Sequence, residues 1–220
     1  MENNITLEKI AYSIAHTMGN PYERFFVEKI KFLVSNYRAT LLRQDLAKNS
    51  ISKSILLSLT CLPVQCVDVA ECCGGNKSFT NALRTVDKIP KPLRTKDNDS
   101  YYYVGGIDKM SPYNETTFID YLNTKYLRFT STITRYALLD DYIYILNPPS
   151  DLLKKITIID PFEDITQVLS IKNCDGVNCY TDDDMFPIPA DMVGTLEDMV
   201  LNHLRNQPIN DDKEIKVNKN

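Results

Sequence analysis

Two histidines, His16 and His203, and six cysteines, Cys61, Cys66, Cys72, Cys73, Cys174 and Cys179, carry most of the chain's scope for nucleophilic or metal chemistry. Catalysis by a serine or cysteine nucleophile needs a histidine held beside it. Both histidines fall on terminal segments that read as helices, so neither is assigned a catalytic role. Seven glycines are dispersed along the chain, leaving no glycine-rich loop to cradle a phosphate. Cys61 and Cys66, and again Cys174 and Cys179, are separated by four residues, the wide limit of the paired spacing in structural zinc sites. No metal is assigned on that spacing. Stable disulfides are rare in a reducing cytosol, which makes small buried free thiols the favoured reading. Asp182-Asp183-Asp184 could offer oxygens to a hard cation, but no EF-hand pattern follows, and the cluster reads as a capping or solubilising one. Arg84, Lys88, Lys91, Arg94 and Lys96, followed by Tyr101, Tyr102 and Tyr103, combine base and aromatic as single-strand binders do. The pattern does not repeat, and Arg94, Tyr101 and Tyr103 fit protein contacts better, since Tyr and Arg are enriched there. No cofactor is expected.

The elements that position these residues belong to an α+β fold. Thr6 to His16 reads as a short helix capped by Thr6, with Leu7, Ile10, Ala11 and Ile14 on one face and Gly19 ending it. Asn20 and Pro21 then open a long helix running to about Leu46. Its apolar stripe is Phe26, Ile30, Leu33 or Val34, Tyr37 and Leu41, with Arg24, Lys31, Arg38 and Arg43 projecting elsewhere. From Ile55 the period changes to that of strands: Ile55 to Cys61, then Val64 to Val69, broken by Pro63. Ile89-Pro90-Lys91-Pro92 and Gly105-Gly106 punctuate a loop-rich section. A short helix over Glu115 to Asn123 precedes an antiparallel meander of Tyr126 to Thr132, Thr134 to Leu139 and Tyr142 to Leu146, with an Asp140-Asp141 turn. Lys155 to Ile159 is a further strand, Phe162 to Leu169 a short helix or turn, and Asp191 to Asn206 a final helix. The expected organisation is one α+β domain over 1–206, helical to residue 50 and β-rich after it, with a mobile polar tail over 207–220.

A net charge of -4 provides no global field for holding nucleic acid by counterion release. The longest apolar runs are far short of the roughly 20 residues of a membrane span, and the N-terminus has no secretory pattern, so cytosolic synthesis and no membrane partner are expected. Charge is nevertheless split. Seven Lys or Arg between Arg24 and Ser54 face two acids, whereas seven acids and no base lie between Asn173 and Leu204. Charge runs of this kind ordinarily form a solvated surface with no partner; alternatively, opposite patches on one subunit suit head-to-tail contacts that close into a ring.

Several strings together resemble a family of virion structural proteins of crAss-like and related tailed bacteriophages. They are Arg24-Phe25-Phe26-Val27-Glu28-Lys29-Ile30 leading to Tyr37-Arg38-Ala39-Thr40-Leu41-Leu42-Arg43, and Cys61-Leu62-Pro63-Val64 with Val67-Asp68-Val69-Ala70-Glu71-Cys72. Ile89-Pro90-Lys91-Pro92-Leu93-Arg94, Tyr103-Val104-Gly105-Gly106-Ile107-Asp108 and Phe186-Pro187-Ile188-Pro189-Ala190-Asp191-Met192 complete the set. The resemblance implies a non-enzymatic ring or adaptor protein of the head-to-tail connector, located in the virion neck or tail and made in the bacterial host cytoplasm. It implies a homo-oligomeric ring, twelve-fold to match the portal, with the portal protein and other neck or tail rings as partners and genomic DNA passing through without sequence-specific binding. Tyr37, Arg38 and Arg43, the loop of Pro90 and Arg94, and Phe186 with Pro187 are the implied contact positions. Asp182, Asp183 and Asp184 become candidates to line the channel, because a negative lumen repels phosphate. The alternative is a zinc-dependent nucleic-acid-binding module using Cys61, Cys66, Cys72 and Cys73.

Overall fold

Helices α1 (Leu7–Thr17) and α2 (Arg24–Leu46) open the chain. In this computed structural model, residues 5–48, 52–67, 82–94, 101–124, 126–129, 132–149 and 153–206 are described. Cys72, Cys73, Lys96, the 207–220 tail and the last residues expected for the Val64 to Val69 strand lie outside them. Helix α1 forms where its local signals place it. The Thr6 hydroxyl accepts from the Lys9 amide at 3.2 Å, satisfying one of the unpaired amides of the first turn. Leu7, Ile10, Ala11 and Ile14 are buried. Gly19, at φ +81°, takes the left-handed conformation that turns the chain.

Helix α2 differs from its sequence reading in start and phase. It begins after Glu23, which makes no side-chain cap, and ends at Leu46 as expected. The fully buried line runs through Val27, Ile30, Val34, Arg38 and Leu42, while Phe26, Tyr37 and Leu41 flank it half-buried. The line is rotated because Arg38, expected to project away from the core, is packed into it.

Seven strands follow: β1 (Leu57–Val67), β2 (Ala82–Thr85), β3 (Tyr103–Gly105), β4 (Asn114–Glu115), β5 (Arg135–Leu139), β6 (Tyr142–Leu146) and β7 (Lys155–Asp160). Their spatial order is β3-β7-β1-β2-β6-β5-β4, antiparallel throughout except where β4 runs parallel to β5. Pro63 does not break β1. It sits where the strand changes partners, with Leu57 to Pro63 paired to β7 and Val64 to Val67 paired to β2. A proline is tolerated there because its missing N–H falls at the last pair of the β7 ladder, just before the β2 ladder begins at Val64. Asp140 and Asp141, at φ +53° and +67°, form the expected two-residue turn of the β5–β6 hairpin. Tyr126 to Phe129, read as the start of a strand, are turn and bend residues with exposed side chains. Helix α3 (Phe118–Thr124) precedes them, and α4 (Ile165–Leu169) and α5 (Val193–Asn206) follow β7.

Alternation along the strands divides the sheet into two covered faces. Tyr136, Ile143, Ile145, Ile156 and Ile158 share one core with α1, α2 and α5, through residues such as Leu7, Val34 and Leu196. Ala137, Tyr144, Leu146 and Ala82 point the other way and pack against Phe118 and Tyr121 of α3. The molecule is therefore an α+β fold with helices on opposite sides of a mixed sheet. No helix among the described residues is long and apolar enough to cross a membrane.

Candidate functional site

The short segment Pro161-Phe162-Glu163, just after β7, gathers Arg38, Arg43 and the Pro90 to Arg94 loop from among the positions singled out in the sequence. Arg38 reaches it from α2, fully buried, with Nη1 donating to the Phe162 carbonyl at 2.9 Å and Nε donating to the Pro187 carbonyl at 2.8 Å. Its guanidinium also lies 5.8 Å from the Phe186 ring centroid. Burial pushes the group down to about 9, still protonated at neutral pH, and its Nη2 has no hydrogen-bond partner. Five residues further along α2, Arg43 forms an exposed ion pair with Glu163. The Pro90 to Arg94 loop docks on the same segment, with the Leu93 amide donating to the Pro161 carbonyl at 2.7 Å and the Glu163 amide donating to the Lys91 carbonyl at 3.0 Å. Ser35 adds a tie to α4, accepting from the Ile165 amide while donating to Asp164.

These contacts place the expected contact residues as follows. Arg38, Pro90, Tyr101, Phe186 and Pro187 are buried within the subunit. The contacts that Arg38, Phe186 and Pro187 make here are an internal brace joining α2, the end of β7 and the approach to α5. Tyr37 is half-buried and pairs its hydroxyl with His203 Nδ1 of α5 at 3.0 Å. Tyr103 is half-buried, donating to the Gly106 carbonyl at 3.2 Å, and burial pushes its phenol up. Arg43 and Arg94 are exposed. Next to this brace, Asp160 accepts from the Tyr102 amide at 2.9 Å, and its second oxygen is buried without a partner. Burial raises this carboxyl to about 7, against the Tyr102 hydrogen bond and the charge of Arg94, which lower it.

The acidic cluster divides by residue. Asp182 accepts from Lys31 Nζ of α2 at 2.7 Å. Burial alone would lower the Lys31 ammonium, but the hydrogen bond and charge of Asp182 outweigh it and hold the group above its ordinary value. Asp184 accepts from the Thr181 amide and hydroxyl, and Asp183 is exposed. Part of the charge split seen in the sequence is thus satisfied inside one subunit.

The thiol reading needs correction. Cys61, at the irregularity of β1, and Cys174 are joined as a disulfide across 113 residues, with Cα atoms 5.5 Å apart. Cys66 is an exposed thiol and Cys179 a half-buried one whose pKa burial raises. The fold overrides the sequence expectation because Cys61 lies where β1 bends, at φ +61°, opposite the Asn173 to Val177 turn. The bond also takes Cys61 out of the proposed zinc set. Among the described residues, no three His, Cys, Asp or Glu side chains converge as metal ligands do. An open cavity of about 600 Å³ near the β3–β4 connection is lined by Asp108, Tyr113, Lys154 and Lys155, among others, and by no histidine or cysteine.

Sequence reasoning missed a different set of residues, the large side chains left facing solvent. Phe25 and Phe32, seven apart on α2, lie outside the stripe assigned to the core, and with Tyr22 they are exposed. Ile119, Tyr126, Leu127 and Phe129, on and after α3, are exposed as well. The signal was present at Phe25 and Phe32, an aromatic repeat at helical spacing on the face opposite the stripe. At Tyr126 to Phe129 it was read as strand.

A braced α+β subunit that leaves large apolar side chains in solvent on α2 and on and after α3 has the make-up of a structural assembly protein. The chain belongs to the crAss-phage ring family described as Phage tail ring protein 2, which it matches over residues 9–220. It is thereby a structural protein of a bacteriophage tail ring and a component of the virion. A comparison with curated proteins finds no match.

Proposed function

We propose that the chain is the repeating subunit of a connector ring seated between the capsid portal and the rest of the tail, with the packaged genome passing through its centre. The observation carrying this reading is the match to a tail ring family over nearly the whole chain. Portal binding, a twelve-fold copy number matched to the portal and the absence of enzymatic activity are parts of the same proposal. The brace around Phe162 suits it, because a subunit that transmits load between neighbours needs α2, the sheet and α5 to move as one body. Exposed Asp183 and Asp184 are the acids proposed to face the channel, where negative charge keeps DNA phosphates from adhering. Arg43 and Arg94, exposed at the rim of the brace, are the proposed portal or neighbour contacts.

Electron microscopy of the protein mixed with the portal protein encoded by the same genome tests this. Discrete rings stacked on the portal are expected, with a subunit count readable from top views. Absence of any complex at high concentration would overturn the connector assignment, and rings that form but do not touch the portal would move the protein to another level of the tail.

A further inference from the structure

Resting on that ring reading, we infer that neighbouring copies join through two different aromatic surfaces held on opposite sides of the subunit. One is formed by Tyr22, Phe25 and Phe32, the other by Ile119, Tyr126, Leu127 and Phe129. Tyr22 and Phe25 are 98% and 88% exposed, Tyr126 and Phe129 82% and 86%, and the other three are each more than half exposed. Burying an aromatic side chain removes about 150–250 Å² from water, so each surface offers roughly 350–600 Å² of apolar area. That is a large share of the about 800 Å² each partner contributes to a standard interface, and exposure on this scale marks association sites.

Sidedness decides the occupant. Strand alternation sends Tyr136, Ile143 and Ile145 toward α1 and α2, and Ala137, Tyr144 and Leu146 toward α3. The first aromatic surface therefore stands on the α2 side of the sheet, and the second, on α3 and the turn that the Leu127 amide ties to the Thr124 carbonyl at 3.1 Å, belongs to the α3 side. A ring is closed by heterologous contacts, in which each subunit presents two unlike surfaces to its two neighbours. A two-fold dimer would need only one self-complementary surface. Two apolar surfaces back to back are what a second copy on each side requires, and aromatic residues dominate such interface centres.

The test uses the full chain assembled in the presence of the portal protein. Phe25→Glu and Phe129→Glu each alter an exposed side chain, so thermal unfolding should match the parent, while each variant alone forms no ring. An equimolar mixture of the two should give dimers and nothing larger, because one intact surface remains on each partner. In a second measurement, Phe25→Cys and Phe129→Cys are combined in a background carrying Cys66→Ser, Cys72→Ser, Cys73→Ser and Cys179→Ser, which removes the free thiols outside the Cys61–Cys174 bond. A bifunctional thiol crosslinker should then yield a ladder of multimers from the double variant, whereas neither single variant should link beyond monomer. Rings formed normally by either Glu variant, or dimers linked by one single Cys variant, would overturn the surface assignment while leaving the ring reading intact. Failure of the parent protein to form rings under these conditions would instead sink the ring reading, and this inference with it.

Discussion

At Arg38 a desolvated guanidinium is held by carbonyl oxygens, and the energetics of that arrangement set a large expected effect. Removing the side chain leaves the carbonyls of Phe162 and Pro187 without these donors and opens a void beside Phe186. Arg38→Ala should therefore cost about 2–5 kcal/mol of unfolding free energy, read as a fall in the urea midpoint, and Arg38→Lys should recover little because a single ammonium nitrogen cannot take the places of Nε and Nη1, which reach the two carbonyls from separate points of a planar group. A near-neutral Arg38→Ala would show that the brace is not where the stability resides. Asp160 predicts a pH dependence. Its carboxyl titrates at about 7 in the folded chain, whereas an unfolded aspartate titrates near about pH 4. Between these values the folded state binds the extra proton, so stability contributed at this site declines as pH rises through that window and is lowest above it. The urea midpoint of Asp160→Asn should fall less than that of the parent from about pH 4 to 7; parallel profiles would refute the assignment. Neither effect was legible beforehand, because the burial of Arg38 and Asp160 depends on segments more than a hundred residues away in sequence or on strand order, not on local pattern.

Among the elements, those marked by a cap, a turn pair or a continuous apolar run were readable, β6 over Tyr142–Leu146 and β7 from Lys155 included, and what depends on which strand lies alongside was not. Helix α1 is specified by a cap and a stripe within twelve residues. The β5–β6 hairpin is specified by two aspartates that tolerate positive φ, and its position follows directly. Asp141 nonetheless adopts a conformation that glycine adopts more readily. Asp141→Gly should accordingly raise stability by about 0.5–1 kcal/mol, measured by chemical denaturation; a decrease would mean that the Asp141 side chain contributes more than its backbone costs. Over Tyr126 to Phe129 the strand expectation fails because aromatic and β-branched residues favour strands only where a neighbouring strand and a covered face exist, while Thr130 and Ser131 lie outside the described residues. At Tyr126 to Phe129 the chain turns and leaves these side chains in solvent. Continuity of β1 through Pro63 was equally hidden, since it depends on the change of partner from β7 to β2. The candidate site followed the same division. Tyr37, Arg43 and Arg94 were legible as positions of interest, while the exposed aromatic surfaces emerged only once the core-facing positions were known.

For the whole molecule, the opposed faces of the sheet and the long covalent link from Cys61 to Cys174 set the expectations. Replacing Asp182, Asp183 and Asp184 together by Asn should slow genome ejection or make it salt-sensitive if these acids face the channel, whereas unchanged kinetics would remove them from it. Part of any stability change in that variant belongs to the lost Lys31 contact, so Lys31→Met serves as its control. Loss of the disulfide in Cys61→Ser should cost about 2–4 kcal/mol, in line with the closure of a long loop, and the same shift should follow addition of a reductant to the parent. The bond also governs how the chain can yield to pulling. With Cys61 and Cys174 joined, tension applied at the two ends passes through the sulfurs, and the strands from β2 to β7 lie in a bypassed loop. The 113 residues of separation correspond to roughly 370–410 Å of hidden contour at about 3.3–3.6 Å per residue. A subunit stretched between two anchors would release that length only after reduction, so β2 to β7 are shielded from mechanical unravelling by a covalent fuse, and of the sheet only the Leu57 to Leu59 end of β1 is left to bear the pull.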